Sequence, residues 1–345
     1  MKPLRSFAWY AKEIKPFIPD QAFKPSATKL IGGLSFLLIV VSCSWIIIQY
    51  RPMFIISLSL SFIIGICFSG MIILSHELMH GTIVRKKWMQ HFFGAILFWP
   101  ISISPVFWIR WHNLSHHVHT QDHKHDPDIK YVFASKGIWR GIPFFIHALY
   151  KLTILCISSS LYAHIVLFNH LKELPFKKRT IILISSFLPT ISWILLLVLI
   201  GFKSWLFVYL LPLFVANYIL GLYLNTQHYL NPETKVNDPL ANTLTINVPR
   251  WVNWIHFNFS YHTEHHIFPG MNSKYYPLVK KQLKEKFPDL YQEMSVVEAL
   301  KLWFRTRKNE FNYTKLRDSY QITGSEKEYR GIKETFKERE RNKSR

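Results

Sequence analysis

The chain has 345 residues, with 42 Lys and Arg against 21 Asp and Glu for a formal net charge of +21, and its apolar residues are gathered into a few long blocks. Blocks of that length exclude an ordinary soluble protein, and they set the basic surplus against anionic lipid headgroups rather than nucleic acid, since charge holds a positive face to a bilayer. The cysteines, Cys43, Cys67 and Cys156, each stand alone in an apolar stretch without a C-x-x-C pair, which excludes a disulfide framework and a thiolate metal site.

Residues 1–29 read as an N-terminal arm and 30–304 as one membrane domain. A helix needs about 20 apolar residues to cross the hydrocarbon core, and the stretches 30–50, 53–75, 180–201 and 205–224 meet that length. The first lacks the short apolar core and small-residue cleavage site of a signal peptide and reads as a retained span. Short links, "RP" at Arg51 and "FKS" at Lys203, pair the spans into two hairpins. The expected fold is thus an all-α integral membrane protein of four transmembrane helices, with interfacial helices and a histidine-rich cap on one side. Lys and Arg crowd the arm, the segments at Arg85 and Lys177, and the C-terminal region, so the positive-inside rule makes that side cytoplasmic. The expected location is a bacterial inner membrane or the endoplasmic reticulum. Two more apolar stretches, 91–109 with Pro100 and Pro105 and 143–168 with His147, Lys151 and His164, read as interfacial or re-entrant helices. If either alone crossed, the histidine segments would face opposite sides. Residues 305–345 read as a charged, solvated tail.

Histidine is concentrated in three clusters: "HELMH" with His76 and His80, "HNLSHH" with His112, His116 and His117, and "HTEHH" with His262, His265 and His266. His228 follows the last span. On a helix turning about 100° per residue, spacings of three and four bring imidazoles to one face, while adjacent histidines point apart. Nine imidazoles exceed what one zinc takes, so the arrangement suits two metals side by side. His91, His147, His164, His170 and His256 read as isolated, satisfied polar residues, and His119, His123 and His125 as a solvated loop.

In these boxes, and in the flanks "WHNLSHHVHT…DPD" and "YHTEHHIFPGM", the sequence resembles the integral-membrane fatty acid desaturase and hydroxylase superfamily over roughly residues 30 to 290. The resemblance implies a non-haem centre of two iron ions held by the nine histidines, His228 among them, with O2 as oxidant. It implies a lipid acyl substrate, acyl-lipid or acyl-CoA, and electrons from a separate donor protein of ferredoxin or cytochrome b5 type. Asn225, one turn before His228, is a further candidate beside the metals. Glu77, Glu264, Asp126 and Asp128 are candidate acceptors for the ring N–H of ligand histidines, which would fix their tautomers, with helix capping as the competing role for the aspartates. Trp108 and Trp111 read as lining the substrate region or anchoring at the interface.

Three other readings compete. A zinc protease would use His76, His80 and Glu77 as base and leave the other boxes idle. A hydroxylase of the same superfamily would share every box, because substrate placement decides the product. A metal transporter would carry its ligands within the spans. The sequence has no G-x-G-x-x-G fingerprint, consistent with an external electron donor.

Overall fold

A computed structural model describes residues 4–122, 124–128, 143–232 and 234–305. His123 and the tail beyond residue 305 lie outside the described residues, as does the side chain of His147. The described chain is mostly helical, and four of its helices are long and apolar enough to cross a membrane.

The first two are α2 (Lys29–Tyr50) and α3 (Phe54–Met79), after a short α1 (Phe7–Ile14). Between them Arg51 adopts a left-handed conformation, φ 44° and ψ 54°, just before Pro52. Proline disfavours a helical residue ahead of it, so the chain stops and reverses there. Lys29 at the start of α2 reaches Glu77 near the end of α3 at 3.1 Å, which sets the two helices antiparallel. Next come α4 (Lys87–Leu97), α5 (Pro105–Trp108), a π-helical stretch Ile109–His116 and α6 (His117–His119).

The remaining candidate spans include one that was not expected. Residues 180–201 and 205–224 both fall in one stretch, Phe176–Tyr229, and the other candidate is Ala148–Leu171. The stretch comprises α8 (Phe176–Trp205), a π-helical turn Leu206–Leu210, α9 (Leu211–Leu224) and a second π-helical turn Asn225–Tyr229. Gly201, at φ 76° and ψ 160°, breaks its helical path, a conformation open to glycine because it has no Cβ. The chain folds back there, stacking Trp193 on Tyr209 at 4.0 Å.

The 143–168 stretch, expected to be interfacial, forms α7 (Phe144–Leu171) and packs along α9. By length and apolarity it qualifies as a span. Its contacts, however, bind it to the histidine end of the molecule. Lys151 donates to the Trp303 carbonyl, Tyr162 donates to the Pro127 carbonyl, and Glu173, just past its end, faces Arg110 at 3.9 Å.

α3, the centre of the bundle, is clasped by α2 and α9. A Cβ at Gly65 would stand 2.5 Å from Val215 Cβ and 2.9 Å from the Pro212 carbonyl oxygen. Gly65→Ala is therefore expected to push α3 off α9 and cost about 1–3 kcal/mol, the usual toll of overpacking. Thermal unfolding in detergent would measure it.

After α9 come the shorter elements: α10 (Pro239–Asn242), β1 (Thr245–Asn247), α11 (Arg250–Ile255), α12 (His262–Ile267), α13 (Tyr276–Lys286), β2 (Glu293–Ser295) and α14 (Val296–Arg305). The strands pair in parallel, Thr245 with Glu293 and Asn247 with Ser295. Tyr10 and Ile14 of α1 join Ile267, Met271, Tyr276, Val279 and Leu283 in a core that backs α12.

Candidate metal centre

Four remote segments bring nine imidazoles together. His76 and His80 come from the end of α3, His112, His116 and His117 from the π-helical stretch and α6, His228 from the turn after α9, and His262, His265 and His266 from α12. Donor atoms of His76, His80, His112, His117 and His265 lie within 4.8 Å of one another, and so do those of His116, His228 and His266. His262 joins the second group, its Nε2 2.6 Å from His228 Nε2 and 3.2 Å from His266 Nε2. The rings of His117 and His266 stack at 4.4 Å and join the two groups.

The local geometry differs from the α-helical expectation at the second box. A π-helical turn, closed by i→i+5 hydrogen bonds, is wider than an α-turn, so residues five apart come much nearer to one face than they would on an α-helix. His112 and His117 are five apart, and their Nε2 atoms approach to 3.1 Å in the first group. His116 is left facing the second, with its ring 4.8 Å from that of His228. The same device recurs at Asn225–Tyr229, where it aims His228.

The donor set fits metal ions. Nitrogens bound about 2.1 Å from one ion stand roughly 3 Å apart. Here His76 Nε2 lies 2.8 Å from His112 Nε2, and His265 Nε2 lies 3.1 Å from His117 Nε2. Such pairs of imidazole nitrogens converge on shared points. His80 Nε2 is buried with no hydrogen-bond partner among the described residues. Burial also pushes His112, His117, His262, His265 and His266 well below the usual imidazole pKa, and His80 to about 3. Neutral imidazole is the form that binds metal.

His116 differs: burial opposes its charge, but the Asp126 and Asp128 carboxylates outweigh that and raise its pKa to about 9. Its Nδ1–H donates to Asp126 at 3.0 Å, with Asp128 at 3.2 Å, leaving Nε2 for the second group. Asp128 also accepts from the Trp111 indole at 2.8 Å. Asp126→Asn is expected to lower metal content or turnover about 10–100-fold by loosening the His116 ring. Elemental analysis with a turnover assay on the same preparation checks it.

The two glutamates do not have the role expected of them. Glu77 bonds Lys29 and Thr82, and Glu264 accepts from Thr245 at 2.6 Å and from Tyr291, so neither meets an imidazole nitrogen among the described residues. Nothing in the residue pattern marked the groups that do. Tyr276 holds His265 Nδ1 at 2.9 Å and Thr120 holds His266 Nδ1 at 3.2 Å, both across contacts that only tertiary folding creates. Asn225 is close to the second group but donates to Gly221 within its own helix. His164 and His170 bond carbonyls one turn back, and His125 sits on Asp122 at the surface.

Against the histidines lies a cavity of about 100 Å³. Ile72, Ile73, Ile101, Leu220, Leu224 and Ala163 make it mostly apolar, Trp108, Trp111 and Phe259 add rings, and His76, His112, His116, His228 and His262 form one wall. Apolar walls with a few polar groups at one side are the lining of a site for an apolar ligand.

The chain is similar in sequence to known lipid desaturases. The chain is 23% identical over 296 residues to the sn-1 oleoyl-lipid 12-desaturase of Synechocystis sp., covering 81% of this chain and 83% of the relative. It is 28% identical over 238 residues to the sphingolipid delta(4)-desaturase/C4-monooxygenase of Mus musculus, covering 66% and 64%. The chloroplastic omega-6 fatty acid desaturase of Spinacia oleracea is 22% identical over 292 residues, covering 80% and 64%. The model of the fatty acid desaturase family matches residues 53–297, well over half the chain. The chain therefore belongs to the fatty acid desaturase family and is an oxidoreductase of lipid metabolism.

Proposed function

We propose that the chain is a membrane-bound desaturase that introduces a double bond into a lipid acyl chain, using O2 at a centre of two iron ions. The observation that carries this reading is the juxtaposition of nine imidazoles in two adjoining groups with an apolar chamber along one wall. His76, His80, His112, His117 and His265 would hold one ion, and His116, His228, His262 and His266 the other. Iron with oxygen supplies an oxidant strong enough to take hydrogen from an unactivated methylene, which no side chain can do. In balance, the acyl chain loses two hydrogen atoms, and O2 with two electrons and two protons from the donor side becomes two waters. The chain's own part is to fix the imidazoles, through Asp126, Tyr276 and Thr120, and to hold a methylene against them within Ile72, Ile73 and Leu224. Asn225 stands beside the second group, on the cavity wall.

The substrate is an acyl-lipid or acyl-CoA whose tail enters from the bilayer while its headgroup rests on the basic face. Helices α2 and α3 form one crossing pair and α8 and α9 the other, with α7 lying against the bilayer and the histidine layer cytoplasmic. Contacts at both ends of α7 with that layer support this arrangement. Electrons would come from a separate carrier of ferredoxin or cytochrome b5 type, docked on the same face.

Expression in a host of known lipid content tests the reading, with His112→Ala as control. A new product lighter by two hydrogens is expected. A product heavier by one oxygen would favour the hydroxylase, an outcome worth resolving because the Mus musculus relative's name couples desaturase with monooxygenase. Host lipids unchanged in every class would count against both.

A further inference from the structure

The segment between β1 and the third histidine box leaves the histidine layer and climbs along the spans. His256, just past α11, is buried, with its ring 3.2 Å from Ser69 Oγ of α3 and 3.1 Å from Tyr223 Oη of α9. At 1.5 Å rise per residue, Ser69 lies about 10 Å before His76 and Tyr223 about 7 Å before His228, so His256 sits that much farther into the spans than the imidazole groups. Phe257 agrees independently. It packs edge-on against Phe36 of α2 at 6.1 Å and lies over Gly32, whose added Cβ would stand 3.1 Å from its ring. Phe257 and Asn258 then take left-handed conformations, φ 49° and 62°, and turn the chain back toward the layer, where Phe259 lines the cavity.

At that depth α11 exposes its largest side chains. Trp251 is 64% and Trp254 81% exposed, although the residues just after them are locked to three spans. The nearby lipid-facing residues of α2, Ile31 and Leu34, are 65% and 57% exposed and extend the same apolar surface. Arg250, also exposed, opens the helix with a positive charge. Tryptophan beside arginine is the composition that seats an element at the headgroup boundary, ring inward and charge outward.

We propose that α11 is a spur inserted into the bilayer surface from the histidine side, with Trp251 and Trp254 embedded at the boundary of headgroups and acyl chains. The occupant of this face is the lipid surface itself, because the face continues that of the spans. The inference rests on the spans crossing a bilayer as proposed above, but not on the reaction. Its consequence is that lipid reaches the cavity beside Phe259 from within the membrane, the spur and the cavity wall being one continuous segment.

Spin labelling of the full chain tests it. With Cys43, Cys67 and Cys156 replaced by Ala, Trp254→Cys and Trp251→Cys proteins would be labelled separately with nitroxide. They would then be reconstituted in vesicles of phosphatidylcholine and phosphatidylglycerol. Lys281→Cys, at a side chain 68% exposed on α13, gives the aqueous reference. Relaxation at 251 and 254 is expected to respond more to dissolved oxygen than to a nickel chelate, and position 281 the reverse. Two labels folded as judged by thermal unfolding like that of the unlabelled chain, yet as open to nickel as position 281, would overturn the proposal. In the unlabelled chain, Trp251→Ser with Trp254→Ser is expected to raise KM for vesicle-embedded lipid roughly tenfold, with kcat for detergent-dispersed substrate unchanged. An equal fall on both substrates would overturn it. Because the depth measurement needs no turnover, a chain that proves not to desaturate leaves this result readable.

Discussion

Replacing His117 by Ala is expected to abolish the new lipid product and lower bound iron from about two ions per chain toward one. His117 Nε2 lies 3.1 Å from both His112 Nε2 and His265 Nε2, so its loss opens the first group at its centre while the second keeps all four of its imidazoles. His266→Ala should do the converse. Each should reduce turnover by more than the roughly 10–100-fold expected on losing an outer partner such as Asp126. Iron analysis of purified protein, beside lipid profiling of the host, checks both. His125→Ala, at a surface residue paired with Asp122, should change neither. Equal iron in His117→Ala and the unaltered chain would remove that residue from the proposed ligand set.

The second large effect concerns stability. Glu77 is 2% exposed, and its carboxylate faces the Lys29 ammonium at 3.1 Å, which also bonds Ser273 at 2.7 Å. Lys29→Met leaves a buried carboxylate without its counter-charge, a loss of about 3–5 kcal/mol by analogy with other broken buried pairs. Adding Glu77→Gln removes the orphaned charge, so the double variant is expected to recover most of that loss. Thermal unfolding in detergent of both single variants and the double variant measures the coupling. The same set separates two chemistries. A zinc protease needs Glu77 as base and would lose all activity in Glu77→Gln, whereas a desaturase in which Glu77 ties α2 to α3 would keep part of its own.

Much of this protein could be read along the chain. Block length and apolarity marked membrane helices because hydrocarbon accepts only long runs of apolar residues with their backbone bonds closed internally. Box spacing marked a histidine-rich centre because ligands must share a helix face. What reading along the chain could not supply depends on contacts across it. That Lys151, Tyr162 and Glu173 of the α7 region find partners in remote segments depended on the fold, not on the composition of α7. The break between 180–201 and 205–224 turned on the backbone angle of Gly201. Likewise, the π-helical winding that lets His112 meet His117, and sends His116 to Asp126 and the second group, is set by the packing around it. Sequence by itself marked the histidines of the proposed centre and the apolar helices beside them. Tertiary structure alone decided which imidazoles share a point, which residues hold them, and that Glu77 and Glu264 serve the scaffold, since hydrogen-bond partners are chosen by proximity in space.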